Sequence, residues 1–273
     1  MILVGANVGV AKILSGALPI ALIAFLRCVL AVAVLWPLAR WMEGAPRLPR
    51  ATRVNLFWQA VFGTAIYNAG LLAGLRLTTA LEAGLVLSTL PALVALGAWL
   101  LLRERLTRRQ VAAAALAGAG MAAITLARLG GGSGGSLVGN LLVLGGVCGE
   151  AAYVLLARRM GAVPVITASL WMQLFSAAVL LPFAVSGFGA LAALDMTLLA
   201  LLVFHSLTAS VLCLLLWYQG LKTVPGGTAG VFTAFLPASA AVTAVAFLGE
   251  SFGLVHAVGF ALMLVSVVLA VRR

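Results

Sequence analysis

The chain has 273 residues, of which 64% are hydrophobic and 8% charged, with a formal net charge of +11. A water-soluble domain holds roughly 25% charged residues, so this composition excludes a soluble globular protein and makes lipid the solvent. The positive charge does not signal nucleic acid, because the arginines sit in short loops between apolar runs, where they act as orientation signals.

Crossing a hydrocarbon core of about 30 Å takes about 20 apolar residues. Runs bounded by turn or charge signals predict spans near 2–14, 19–39, 54–75, 81–102, 110–127, 137–157, 164–184, 196–219, 228–248 and 253–271. The expected class is therefore an all-α integral membrane protein of ten transmembrane helices. The first run, with Asn7 and Lys12, is too short to span, and no cleavable signal peptide is visible.

In the second span, Arg27 lies roughly 12 Å deep at 1.5 Å per residue. The third span supplies Gln59, Tyr67 and Asn68 as polar atoms. Pro91, near the centre of the fourth, removes a backbone hydrogen bond and predicts a kink. Residues 128–136, RLGGGSGGS, read as a flexible linker.

In the sixth span, Glu150 lies roughly 10 Å from the inner end, and Tyr153 shares its face. Charges this deep are costly in lipid. Either the two snorkel or pair with each other, or Arg27 faces a substrate carboxylate and Glu150 an ammonium group or a coupled proton. Glu150 is the one deeply placed carboxylate in this reading. Trp171 follows in the seventh span.

The eighth span carries His205 near its middle and a stripe of Ser206, Ser210, Cys213 and Trp217, with Tyr218 beside it. The ninth carries Thr228, Phe232, Phe235, Ser239 and Thr243 on one face, and Pro237 as a second expected kink. Both stripes suit helix packing and cavity lining equally. For His205 a helix–helix hydrogen bond is the simpler role. Cys28, Cys148 and Cys213 all fall in apolar runs and read as buried small hydrophobes, neither disulfides nor metal ligands.

The two halves resemble each other. Gly16–Ala39 aligns without gaps on Gly161–Ala184, matching Pro19 to Pro164 and Pro37 to Pro182. With a shift of one, Gly74 falls on Gly220, Ala83-Gly84 on Ala229-Gly230, Leu90-Pro91 on Leu236-Pro237 and Glu104 on Glu250. This pattern predicts two repeats, 1–127 and 137–273, joined by the linker. The first span lacks a counterpart to 137–147, which implies a longer natural N-terminus.

Five spans per repeat is an odd number, so the second copy must enter from the opposite side. With both termini cytoplasmic, the inner side holds Arg40, Arg47, Arg50, Arg53, Arg103, Arg105, Arg108, Arg109, Arg158, Arg159, Lys222, Arg272 and Arg273. The outer side holds only Lys12, Arg76 and Arg128, as the positive-inside rule requires. Inverted repeats place a substrate site near the midplane between them.

No G-x-S-x-G, H-E-x-x-H or C-x-x-C occurs, and His205 and His256 lie on different spans. A membrane-embedded enzyme is the remote alternative. No filter-like loop or charged ring suggests a channel.

Taken in order, Gly5-x-Asn7, Lys12, Pro19, Arg27, Ala83-Gly84, Leu90-Pro91, Arg103-Glu104-Arg105-Leu106, Tyr153, Arg158-Arg159, Pro164, Ala229-Gly230, Leu236-Pro237 and Leu248-Gly249-Glu250 resemble the drug/metabolite transporter superfamily, specifically its EamA-type ten-helix members. The resemblance covers essentially the whole chain. One departure is Val4, where an aromatic residue is expected before the glycine of the first span.

The resemblance implies two inverted five-helix repeats around a central cavity, no cofactor, and a bacterial-type inner membrane location. It implies export of small metabolites, with amino acids favoured and aromatic ones first, or else a multidrug or other metabolite permease. The candidate substrate-binding residues are Asn7, Arg27, Tyr67, Asn68, Glu150, Tyr153, Trp171, His205, Trp217, Tyr218, Phe232 and Phe235, with Pro91 and Pro237 as kinks. The expected partners are a small-molecule substrate and the bilayer, with no nucleic acid, the protein being a monomer or a weak homodimer.

Overall fold

A computed structural model describes residues 2–44, 47–103, 135–158, 163–216, 235–249 and 253–271, with scattered positions at 108, 111–112, 115–116, 119 and 219. Among the described residues every regular element is helical. They are α1 (Ile2–Ala17), α2 (Ile20–Met42), α3 (Arg50–Leu77), α4 (Ala80–Leu87), α5 (Leu90–Leu102), α6 (Leu137–Arg158), α7 (Val165–Ala184), α8 (Met196–Leu216), α9 (Phe235–Leu248) and α10 (Leu254–Val271). Six stretches among the described residues are long and apolar enough to cross a membrane: Ile20–Met42, Arg50–Leu77, Ala80–Leu100, Leu137–Ala157, Val165–Ala192 and Met196–Leu216. Almost all of the expected fifth span, and the linker before Gly135, lie outside the described residues.

Helix is the obligatory choice here, since it satisfies every backbone group within one segment where lipid offers no partner. The helices start and stop on local chemistry. Pro19, Pro49 and Pro164 precede α2, α3 and α7, positions where a missing N–H costs nothing. Asp195 caps α8 by accepting from Leu198 N at 2.7 Å. Arg103 ends α5 in the left-handed region, at φ 55°. Gly249, which aligns with it in the second half, follows α9 at φ 64°.

The expected fourth span, 81–102, is interrupted. The break falls at Ser88–Thr89, and Pro91 sits in the first turn of α5. Pro91 has no N–H to continue the ladder. The chain tightens instead: Ser88 N donates to Leu85 O and Thr89 N to Val86 O, at 3.1 and 3.0 Å. The Ser88 and Thr89 hydroxyls donate to the same two carbonyls, at 2.6 and 2.7 Å. Pro237 falls in the first turn of the described part of α9.

Two wide π-helical turns interrupt long helices, Val61–Ile66 in α3 and Ser206–Leu212 in α8. With the offset that aligns Gly74 on Gly220, Val61 falls on Leu207, so the two wide turns sit at matching places in the two halves. Such turns concentrate at functional sites.

Packing is dominated by three helix pairs: α3 on α6, α2 on α7 and α1 on α9. Between helices in lipid, burial of apolar surface gives no net drive, so close approach of small residues must supply the attraction. At the α3–α6 contact a Cβ on Gly70 would lie 2.6 Å from both Gly146 N and Leu142 O. Backbone therefore meets backbone. The main cluster joins Leu14, Leu72, Leu75, Leu81, Leu85, Val147 and Leu202, from α1, α3, α4, α6 and α8.

Cys28 is buried, but Cys148 is exposed and Cys213 only partly covered, which corrects the expectation of three buried thiols. Cys148 shares the outer stripe of α6 with Leu141, Leu142 and Gly145, whereas Val143, Gly146 and Val147 face inward.

The packing predicts a matched pair of outcomes in thermal unfolding of the detergent-solubilised protein. Gly70→Ala should destabilise by roughly 1–3 kcal/mol, because the clash is with backbone that cannot rotate away. Gly145→Ala meets nothing within 4 Å and should be neutral or stabilising by up to about 1 kcal/mol through helix propensity.

Candidate functional site

The candidate site is built around Arg27 on α2. The residue is 8% exposed, and its Nε has no hydrogen-bond partner. Its charge acts on Glu150 of α6, Tyr67 of α3 and His205 of α8, so residues from four helices share one electrostatic neighbourhood. Arg27 and Glu150 make no ion pair with each other. A buried guanidinium with an unpaired N–H retains the capacity to bind an acceptor.

Next to it, α1 and α8 are joined by a polar knot. Asn7 Nδ2 donates to Leu3 O at 2.7 Å and Thr208 Oγ1 at 2.9 Å. That leaves Asn7 Oδ1 as an acceptor, 2.7 Å from His205 Nδ1. The proton on neutral His205 therefore belongs on Nδ1, and Nε2 is left as an acceptor. His205 thus makes a helix–helix hydrogen bond. Ser206 Oγ donates to Arg27 O at 2.7 Å, tying α8 to α2 beside the guanidinium.

Two further buried polar groups sit on this seam: Ser210, already part of the eighth-span stripe, and Gln173, which did not stand out in the sequence. Gln173 of α7 donates to Ser210 O at 3.3 Å, while Gln173 Oε1 and Ser210 Oγ have no partner. A polar group left unpaired in a dry interior costs roughly 1–3 kcal/mol, a cost that a polar group placed beside these atoms would offset.

The other candidates lie elsewhere or outside the described residues. Asn68 donates to Thr64 O of its own helix at 2.6 Å, closing the wide turn of α3. Tyr153 packs with Ala60 and Met172, its ring against Gly63. Trp171 stacks near Phe175, with ring centroids 5.4 Å apart, and lines a groove of about 340 Å³ between α3 and α7. Trp217, Tyr218 and Phe232 are outside the described residues, as is the side chain of Phe235.

At the end of the bundle where α1, α3 and α6 meet, a second polar cluster closes the fold. Glu82 is fully buried, but it lies in the first turn of α4, so it is a carboxylate enclosed at the bundle end and not at the mid-span depth expected of Glu150. Glu82 Oε2 accepts from Asn140 Nδ2 at 3.0 Å, and Thr78 Oγ1 lies 3.0 Å from Glu82 Oε2 and 2.7 Å from Asn140 Oδ1. Thr79-x-x-Glu82 is a capping pattern, and Thr79 Oγ1 does accept from Glu82 N at 3.1 Å. Capping carboxylates are ordinarily at the surface, so only Asn140, from a distant helix, reveals that this one is enclosed.

Beside it the cations of two helices cap each other's ends. Lys12 of α1 donates to Leu75 O and Thr78 O at the end of α3. Arg76 of α3 donates to Ser15 O and Leu18 O at the end of α1, at 2.7 and 2.8 Å. At the opposite end, Glu43 accepts from Ile166 N, Thr167 N and Thr167 Oγ1, at 3.0, 2.7 and 2.8 Å, capping the start of α7. A carboxylate there also suits the positive end of the helix dipole.

Comparison with known proteins adds three findings. A family model described as the EamA-like transporter family matches residues 1–126 and again 137–272. A curated relative, the uncharacterized transporter YetK of Bacillus subtilis (strain 168), is 33% identical over 267 residues, covering 96% of this chain and 81% of its own length. A solved structure described only as the crystal structure of a protein superposes with a TM-score of 0.69 at 21% identity, over 98% of this chain and 93% of that one. At that identity the likeness concerns the fold alone, and it fits the all-helical membrane architecture described above.

The Glu82 cluster predicts that Asn140→Leu lowers stability by roughly 1.5–3 kcal/mol, the usual worth of a hydrogen bond to a charged group. Ser186→Ala, which removes an exposed bond of 3.3 Å, should change it by less than about 0.5 kcal/mol. Thermal unfolding of the two variants side by side checks the difference.

Proposed function

Because this chain belongs to the EamA-like transporter family of the drug/metabolite transporter superfamily, we propose that it exports amino acids, aromatic ones first, by alternating access at a site near the bilayer midplane. The observation that carries this reading is the buried Arg27 with its unpartnered Nε, in electrostatic reach of Glu150, Tyr67 and His205. A guanidinium held in a low-dielectric interior is suited to a carboxylate, which it binds more strongly there than in water. Glu150 then answers the substrate's ammonium group or takes up a coupled proton. Tyr67 supplies a ring face for an aromatic side chain.

In this proposal two inverted repeats rock about the site, with both termini in the cytoplasm of a bacterial-type inner membrane. The Lys12, Arg76, Thr78, Glu82 and Asn140 cluster seals the outer end, and the break at Ser88–Thr89 lets α4 and α5 swing. Each turnover must separate the outer cluster and then remake it.

Proteoliposomes loaded with labelled amino acids test the reading. Efflux or counterflow of an aromatic amino acid is expected for the unaltered protein. Arg27→Ala should lower kcat/KM by roughly 10- to 100-fold, the equivalent of about 1.5–3 kcal/mol for a lost charge-assisted bond. Arg27→Lys should retain part of the activity. Wild-type transport by both Arg27→Ala and Glu150→Gln would remove the assignment of the site. Absence of any amino acid flux would remove the substrate class.

A further inference from the structure

The groove between α3 and α7 lies apart from the Arg27 site and is lined by Arg50, Arg53, Val54, Phe57, Trp171 and Phe175. On α3 the spacing of Arg50, Arg53, Val54 and Phe57 places all four on one helix face. From Arg50 to Phe57 the helix rises roughly 10 Å, at 1.5 Å per residue. The groove is thus cationic at its mouth and aromatic and aliphatic below.

Its position relative to a membrane is marked by its surroundings. Arg40, Arg47, Arg50 and Arg53 are all exposed at this end of α2 and α3. Trp41 and Trp58 are 84% and 47% exposed beside them, as befits an aromatic belt at the lipid–water boundary. The floor is aromatic and packed on the core: Phe57 and Phe175 meet edge to face, with centroids 5.8 Å apart, and Trp171 packs over Leu48, Leu56 and Ala168.

We propose that this groove binds an anionic phospholipid, its phosphate between Arg50 and Arg53 and one acyl chain along Val54, Phe57, Trp171 and Phe175. The match is one of charge and polarity along the same axis. Two guanidiniums at headgroup depth complement a phosphodiester, with N–H forks suited to its oxygens. The wall beneath them turns apolar over the distance in which a phospholipid turns from headgroup to chain. A zwitterionic lipid fills the apolar part equally but gains less from the mouth, since its own cation opposes the arginines. The site is independent of which solute the protein carries.

The test uses the full-length protein, purified in mild detergent and incubated with mixed micelles of phosphatidylglycerol and phosphatidylcholine, with bound lipid counted by native mass spectrometry. Retention of phosphatidylglycerol over phosphatidylcholine is expected. The double variant Arg50→Ala with Arg53→Ala should weaken it roughly thirtyfold, taking about 1 kcal/mol for each basic residue at an anionic surface. Arg40→Ala with Arg47→Ala removes the same charge from the same end and should bind like the parent. Val54→Trp fills the groove with both arginines intact and should also abolish retention.

Equal loss in the Arg40/Arg47 pair would mean a diffuse surface charge and overturn the site. So would equal binding of phosphatidylcholine, undiminished binding by the Arg50/Arg53 pair, or a dimer that Val54→Trp dissociates, which would give the groove to a second copy of the chain. Unchanged unfolding temperatures in the variants separate lost binding from lost fold.

Discussion

Lipid cannot hydrogen-bond a carbonyl, and most of what is particular about this molecule answers that fact. At several places where a described helix ends, breaks or widens, a side chain or a neighbouring turn takes up the liberated backbone group. The hydroxyls of Ser88 and Thr89 fold back on Leu85 and Val86 where Pro91 interrupts the ladder. Asn68 covers Thr64 O at the wide turn of α3, and Thr208 covers Phe204 O at the wide turn of α8. Glu43 takes the first amides of α7. The polar residues of this apolar chain are first of all the means by which its backbone survives in a medium without water.

Against that background, polar atoms left without a partner stand out. Arg27 Nε, Gln173 Oε1 and Ser210 Oγ are such atoms. They lie on three helices linked by the Ser206–Arg27 and Gln173–Ser210 contacts. In the proposed function these are the atoms a bound solute would engage.

The spans were legible because the bilayer imposes a length on apolar runs that a soluble core does not. Most expected bounds lie within a few residues of the observed ones, as for 19–39 against Ile20–Met42 and 164–184 against Val165–Ala184. What composition could not resolve was which side of a span faces protein. Lipid and protein interior are both apolar, so Cys148 on the outside of α6 and Cys28 on the inside of α2 look alike in sequence. Trp171 suffers the same ambiguity: nothing in its neighbours distinguishes a central site from the α3–α7 groove. Glu82 was hidden for another reason. Its local pattern is that of a surface cap, and its enclosure depends on Asn140, 58 residues away. Arg27 and Glu150 stand out in the sequence because a deep charge is conspicuous whichever way it faces.

The exchange of cations between α1 and α3 also bears on how the protein comes apart. Lys12 completes the last turn of α3, and Arg76 completes the last turn of α1. Fraying of either helix withdraws the donor that the other depends on, so neither can melt by itself without leaving the other's last carbonyls uncapped. The pair accordingly forms one cooperative unit. Its terminal amides, which in separate helices would exchange with solvent at unrelated rates, are bound to a common opening free energy.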